Sequence, residues 1–104
     1  MQSTLKRESK LLQDLHALKS TSHSRLLALN THFRKYRMSM RLMPEFFNEK
    51  ERMKAKIKEM DKLLSQTKVQ IKKLYEIKDN HTQEQLDEIE SNYNKLKNLY
   101  LKIG

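Results

Sequence analysis

Residues 26–47 read LLALNTHFRKYRMSMRLMPEFF. Apolar side chains recur here at every seventh residue, at Leu26, Phe33, Met40 and Phe47. A second apolar series lies three residues after the first, at Leu29, Tyr36 and Met43. Such spacing forms one narrow stripe on an α-helix, which is typical of the contact seam of a coiled coil. Pro44 lacks an amide hydrogen and therefore predicts a stop or bend in that helix.

The same seven-residue register extends toward the amino terminus as far as Leu5, with polar exceptions at Glu8, Lys19 and Ser22. It predicts a first helix over residues 4–43. Residues 19–24 contain no apolar side chain and have poor helix propensity. A helix broken at 19–24 is one interpretation. A single continuous helix is favoured, because the register is the same on both sides of the polar segment.

Two further helices are predicted, over residues 49–78 and 83–103. Asn48 with Glu51, and Thr82 with Gln85, match the capping box that opens helices. Each segment carries its own apolar seam at alternating steps of three and four residues. The residue types at 79–81 are typical of a turn and favour two helices that fold back on each other. The seven-residue register leaves one uninterrupted helical rod as the alternative.

Composition supports an all-helical chain, since 104 residues contain one glycine and one proline, too few for the turns of a strand-rich fold. The predicted fold class is all-α, an elongated coiled coil or helical hairpin of about three helices with a bend at Pro44. One domain covers residues 1–104. A globular three-helix bundle that stands alone is the alternative.

The predicted seams are thin, because only 37% of the residues are apolar and tryptophan is absent. A chain of this composition has little apolar surface for a thick core of its own. We therefore expect it to assemble with other coiled-coil chains in a hetero-oligomer. The predicted partner contacts are the seam residues Leu26, Leu29, Phe33, Tyr36, Met40, Phe47, Met53, Ile57, Met60, Leu64, Ile71, Leu74, Leu86, Ile89, Tyr93, Leu96 and Tyr100.

Charge is unevenly distributed along the chain. The net charge is +9, and no acidic residue occurs between Leu15 and Pro44. Arg34, Arg37 and Arg41 recur at steps of three and four residues and so share a helical face. An acidic partner helix is the favoured ligand of this basic face. Nucleic acid is less favoured, and contact with an anionic membrane surface is expected only peripherally, if at all.

The sequence carries no signature of catalysis. Cysteine is absent, and the four histidines are scattered without the spacing of a metal site. No glycine-rich phosphate loop and no nucleophile with a matching base is recognisable. We therefore expect no enzyme activity, catalytic residue, metal ion or cofactor. Without a secretory or membrane-spanning apolar stretch, the expected location is cytoplasmic, with the nucleus and the mitochondrion left open.

Residues 25–33, RLLALNTHF, resemble the middle of the KxDL-motif family. The shared pattern is an arginine and leucine, an apolar residue three further on, then a phenylalanine four beyond. Where that family carries Lys-x-Asp-Leu, this chain has Met43-Pro44-Glu45-Phe46. The resemblance implies a small coiled-coil subunit of an assembly that positions lysosomes or makes lysosome-related organelles.

The expected function is therefore that of a non-catalytic scaffold subunit in an intracellular complex. An organelle-positioning or trafficking complex fits these features, and so does a cytoskeletal or kinetochore complex. The alternative is a basic helical module that binds nucleic acid, such as a ribonucleoprotein subunit.

Overall fold

Three helices make up the part of the chain that the structure, a computed structural model, describes: residues 2–40, 46–77 and 82–103. Helix α1 spans Gln2–Met40, α2 spans Phe46–Glu76 and α3 spans Gln83–Ile103. α1 and α2 form an antiparallel hairpin, and α3 packs against α2 and the amino-terminal half of α1. The molecule measures 62 × 18 × 17 Å. The predicted all-α fold class and its elongated helical hairpin are confirmed.

α1 is one continuous helix through residues 19–24, as the favoured interpretation predicted. α3 has the predicted bounds of 83–103, and its capping box is formed. The Thr82 backbone amide donates to Gln85 Oε1 at 2.8 Å, and the Gln85 amide donates to Thr82 Oγ1 at 3.2 Å. Because α3 packs beside α2, the uninterrupted rod is excluded. Pro44 and residues 79–81 lie outside the described residues.

The predicted start of α2 is wrong. The helix begins at Phe46 rather than after Asn48, so Asn48 is a helical residue and cannot be its cap. Glu49 lies in the first turn, where the positive end of the helix dipole favours an acidic side chain. It accepts a hydrogen bond from Arg52 at 3.0 Å. At the other end α2 finishes at Glu76, two residues before the predicted end.

The intramolecular core consists of two apolar clusters stacked along the bundle. In the first, Leu11 and Leu15 of α1 meet Ile71 and Leu74 of α2, together with residues of α3. In the second, Leu18 of α1 meets residues of α2 and α3. The first cluster also contains Leu86 and Ile89 of α3. The second contains Met60 and Leu63 of α2 and Ile103 of α3.

Polar residues are also buried inside the bundle. Ser22 and Thr67 are fully buried, and Gln70 is 5% exposed. Thr67 Oγ1 donates to the Leu63 carbonyl at 2.8 Å, and Asn92 donates to Gln70 Oε1 at 3.2 Å. The Ser22 hydroxyl has no hydrogen-bond partner among the described residues. A buried hydroxyl of this kind is a net cost to stability.

Replacing Ser22 by alanine is therefore expected to stabilise the protein. The substitution removes an unsatisfied buried hydroxyl and introduces a better helix former, together about 1–2 kcal/mol. Urea unfolding followed by circular dichroism measures the change. Thr67→Ala is the matched comparison, because it deletes a satisfied hydroxyl and a methyl group, and it should destabilise. A loss of stability in S22A would show that its hydroxyl is satisfied in solution.

Candidate interaction surface

The structure gives the predicted partner-contact residues different environments. Six of them are buried in the chain's own core, which differs from the expectation that they face another chain: Met60, Leu64, Ile71, Leu74, Leu86 and Ile89. Five more are partly buried and pack against that core: Leu26, Leu29, Tyr93, Leu96 and Tyr100. Arg41 and the side chains of Met40 and Phe47 lie outside the described residues. A contact seam between helices of one chain has the same pattern as one between chains, which explains the difference.

A stretch of two helices without a third remains beyond the core. The last residue of α3 that the structure describes, Ile103, packs in one cluster with Met60. Past this level the hairpin continues with residues 30–40 of α1 and 46–59 of α2, which we call the two-helix arm. The arm reaches about 20 Å further along α2.

The seam of the two-helix arm is incompletely covered. Its apolar residues Phe33, Tyr36, Met53 and Ile57 are half-buried, whereas Met60, Leu63 and Leu74, which α3 helps to cover, are at most 1% exposed. No described residue occupies the third-helix position beside the arm. The half-buried members of the predicted contact set therefore lie where the bundle has two helices instead of three.

The hairpin has two different sides, which three contacts identify. α3 lies on one side of the hairpin, where the Arg7 guanidinium donates hydrogen bonds to Asp87 and to Glu90 Oε2, the latter at 2.9 Å. On the opposite side His16 of α1 meets Tyr75 of α2, with ring centroids 6.4 Å apart. His16 and Tyr75 each follow directly after a core leucine, Leu15 and Leu74. In an antiparallel pair, residues that follow the seam by one position therefore lie on the side away from α3.

This rule brings basic residues of two helices together on the side away from α3. We call the set the basic flank; its members are Lys19, Arg34, Arg37, Lys54, Lys58, Lys68 and Lys72. Lys19 belongs to the set because the structure buries Leu18 at this level of α1, rather than the predicted seam residue Lys19. Asp61 is the acidic residue that follows a seam residue on that side. A cavity of about 370 Å³ opens beside Arg34 and Arg37 and is also lined by Leu27 and Phe33. Two of the three arginines of the predicted basic face, Arg34 and Arg37, thus lie on the same side of the hairpin as lysines of α2. The sequence of α1 alone could not reveal these lysines.

Arg25 lies on the face of α1 that also carries Arg7, about five residues before the two-helix arm begins. α1 and α3 run parallel, because Leu11 clusters with Leu86 near the start of α3 and Leu18 clusters with Ile103 at its end, so Arg25 lies within the length that α3 covers. Its Nε is buried and has no hydrogen-bond partner among the described residues. A buried guanidinium nitrogen without a partner favours a carboxylate ligand.

A second groove, of about 700 Å³, runs between α1 and α3 at the other end of the bundle. Lys6, Lys10 and Lys97 lie along it with Asp14 and Tyr93. Burial first, and then the negative charge of Asp14, raise the pKa of Tyr93 above its ordinary value. Arg7 also lines the groove, and its hydrogen bonds to Asp87 and Glu90 raise its pKa above the ordinary value. Its mixed charges give it no defined ligand.

Over residues 2–40, 46–77 and 82–103, no group of three or more histidine and acidic side chains is arranged to hold a metal ion. None of the helices in the described part of the chain is long and apolar enough to span a bilayer. Comparisons with protein-family models, with curated proteins and with solved structures find no match to this chain.

Proposed function

We propose that this protein is a non-catalytic helical scaffold subunit of a cytoplasmic hetero-oligomeric complex. Its two-helix arm accepts an amphipathic helix from another protein chain, which occupies the third-helix position beyond α3. The observation that carries this proposal is the half-buried apolar seam of the arm, where no described residue takes the place of α3. Covering such a seam with a third helix is favourable because it removes apolar surface from water.

The partner helix should be acidic. The two-helix arm contains eight lysine and arginine residues and three glutamates. A second copy of this chain would bring an equally positive arm, so self-association through this seam would be opposed by like charges. Arg52 and Lys56 border the third-helix position, where a glutamate or aspartate on the incoming helix would face them.

A synthetic helical peptide tests the arm directly. The peptide carries leucine at its seam positions and glutamate beside them, and we expect it to bind the full chain with one-to-one stoichiometry in calorimetry. The double variant Phe33→Ala/Ile57→Ala should lose about 2 kcal/mol of binding free energy, or roughly 30-fold in affinity. These side chains are only half-buried, so the folded core should tolerate the change.

The matched control is Leu99→Ala/Leu101→Ala, which removes two exposed leucines of α3 and should leave peptide affinity unchanged. A peptide with lysine in place of glutamate should bind at least about tenfold more weakly. Equal binding of the two peptides would contradict an acidic partner. Sedimentation of the protein alone should give a monomer, and a dimer disrupted by the arm variant would assign the seam to a second copy.

A further inference from the structure

The basic flank lies on the side of the molecule that the proposed partner helix does not use. Its α1 and α2 rows are separated by roughly the 8–10 Å between packed helices. The contact of His16 with Tyr75 fixes their register, so that Arg37 lies level with Lys54 and Lys19 level with Lys72. The flank is therefore a strip about 27 Å long with a group of cations at each end, and Leu27 and Asp61 lie between the two groups.

Folding does not account for this concentration of charge. The ion pairs among the described residues join Arg7 to α3 and Arg52 to Glu49, and none of them involves a residue of the basic flank. Of the seven flank cations, all except Lys19 are exposed. Helices α1 and α2 together carry a charge of +10, whereas α3, on the opposite side, carries −1. The net positive charge therefore resides on the hairpin and not on α3.

Apolar side chains accompany these cations. Leu27 follows Leu26 of the seam and lies between the two ends of the basic flank, and it is 55% exposed. Met38 follows Arg37 directly and is 76% exposed. Basic residues with interspersed exposed apolar side chains are the composition of helices that lie in the interface of a bilayer. A purely electrostatic contact would have no use for Leu27 or Met38.

The straight shape of the basic flank favours a flat ligand surface, such as a bilayer, over a cylindrical ligand, such as duplex DNA. A duplex presents each phosphate strand to one side only once per turn of about 34 Å. A straight strip about 27 Å long therefore meets the phosphates of a duplex at a few points only. An anionic bilayer offers headgroups beneath every position of the strip, so all exposed flank cations contribute together.

We propose that the α1–α2 hairpin lies with its basic flank on an anionic lipid bilayer. The exposed flank cations attract the anionic headgroups, and Leu27 and Met38 enter the interface between headgroups and acyl chains. α3 then faces away from the membrane. The third-helix position beside the arm stays open to a partner, so this inference stands independently of the proposed function.

Vesicle co-sedimentation with the full chain tests the proposal. Binding is expected to vesicles of phosphatidylcholine with phosphatidylserine, and not to phosphatidylcholine alone. The quadruple variant Arg34→Gln/Arg37→Gln/Lys54→Gln/Lys58→Gln should weaken binding on the order of 100-fold or more, since each cation near such a surface contributes roughly fivefold. The control with the same net charge should stay within about threefold, because it removes only lysines off the flank: Lys62→Gln, Lys95→Gln, Lys97→Gln and Lys102→Gln.

Raising the salt concentration should release the wild-type protein, since exposed charges are screened beyond about 10 Å at 0.1 M salt. Equal losses in the two quadruple variants, or equal binding to both vesicle types, would overturn the proposal. So would displacement of the protein from vesicles by duplex DNA at equal phosphate concentration, which would assign the flank to nucleic acid. All substituted side chains are exposed, so circular dichroism should show an unchanged fold.

The absence of tryptophan permits a second, positional readout. Leu27→Trp places a single fluorophore on the side away from α3, and Leu101→Trp places one on α3, where residue 101 is 66% exposed. Phosphatidylserine vesicles should shift the emission of L27W to shorter wavelength and leave L101W unchanged. A shift in L101W alone would place the membrane against α3 and overturn the proposed orientation.

Discussion

Replacing Leu15 by alanine is expected to destabilise the protein by about 2–5 kcal/mol. Leu15 is fully buried in the cluster where α1 meets α2 and α3, with Leu74 and Leu86 among its members. Truncation removes apolar contact with all three helices and leaves a cavity that rigid helices fill only in part. Because a domain of this size has few kcal/mol of stability to lose, the variant should be largely unfolded at 37 °C.

Urea unfolding monitored by circular dichroism provides the measurement. The control is Leu27→Ala, which removes the same atoms from a side chain that is 55% exposed and should change stability by less than about 0.5 kcal/mol. Wild-type unfolding should also be independent of protein concentration, because the core lies within one chain. A midpoint that rises with concentration would show that the stability comes from association between chains.

The sequence predicted part of the buried face of α1, including polar residues, but not Leu11 and Leu18, which are buried although they lie outside the seven-residue register. Ser22 and Glu8 interrupt the apolar series, yet both are buried where the seven-residue register places them. Position on a helix is set by chain geometry alone, at about 100° per residue, and is therefore readable from spacing. The capping box of Thr82 and Gln85 is equally local, since its groups lie three residues apart.

Pairing between helices could not be read in the same way. A thin apolar seam looks alike whether it meets a helix of its own chain or of another, so the placement of Met60 and Leu86 in an intramolecular core was not foreseen. The basic flank likewise depends on the antiparallel register of α1 and α2, which sets Arg37 level with Lys54. Two charged rows far apart in sequence reveal no common face until that register is known.

Introducing proline at Thr21 is expected to cost about 3 kcal/mol or more, because α1 is continuous there. Proline lacks the amide hydrogen for the helical bond and its ring collides with the carbonyl of Ala17, which now accepts a hydrogen bond from Thr21 Oγ1 at 2.8 Å. The kink would fall between Leu18 and Ser22, both buried, and would pull the two halves of α1 out of register with α2.

Thr21→Ala serves as the control, because it deletes the same exposed hydroxyl and keeps the helix, and it should be neutral within about 0.5 kcal/mol. Urea unfolding compares the two variants under the same conditions. A loop over residues 19–24 would tolerate proline, and T21P would then unfold at the same urea concentration as T21A. That result would divide α1 into two helices. The register that sets Arg37 level with Lys54 would then no longer hold, because it is inferred from the contact of His16 along a continuous α1.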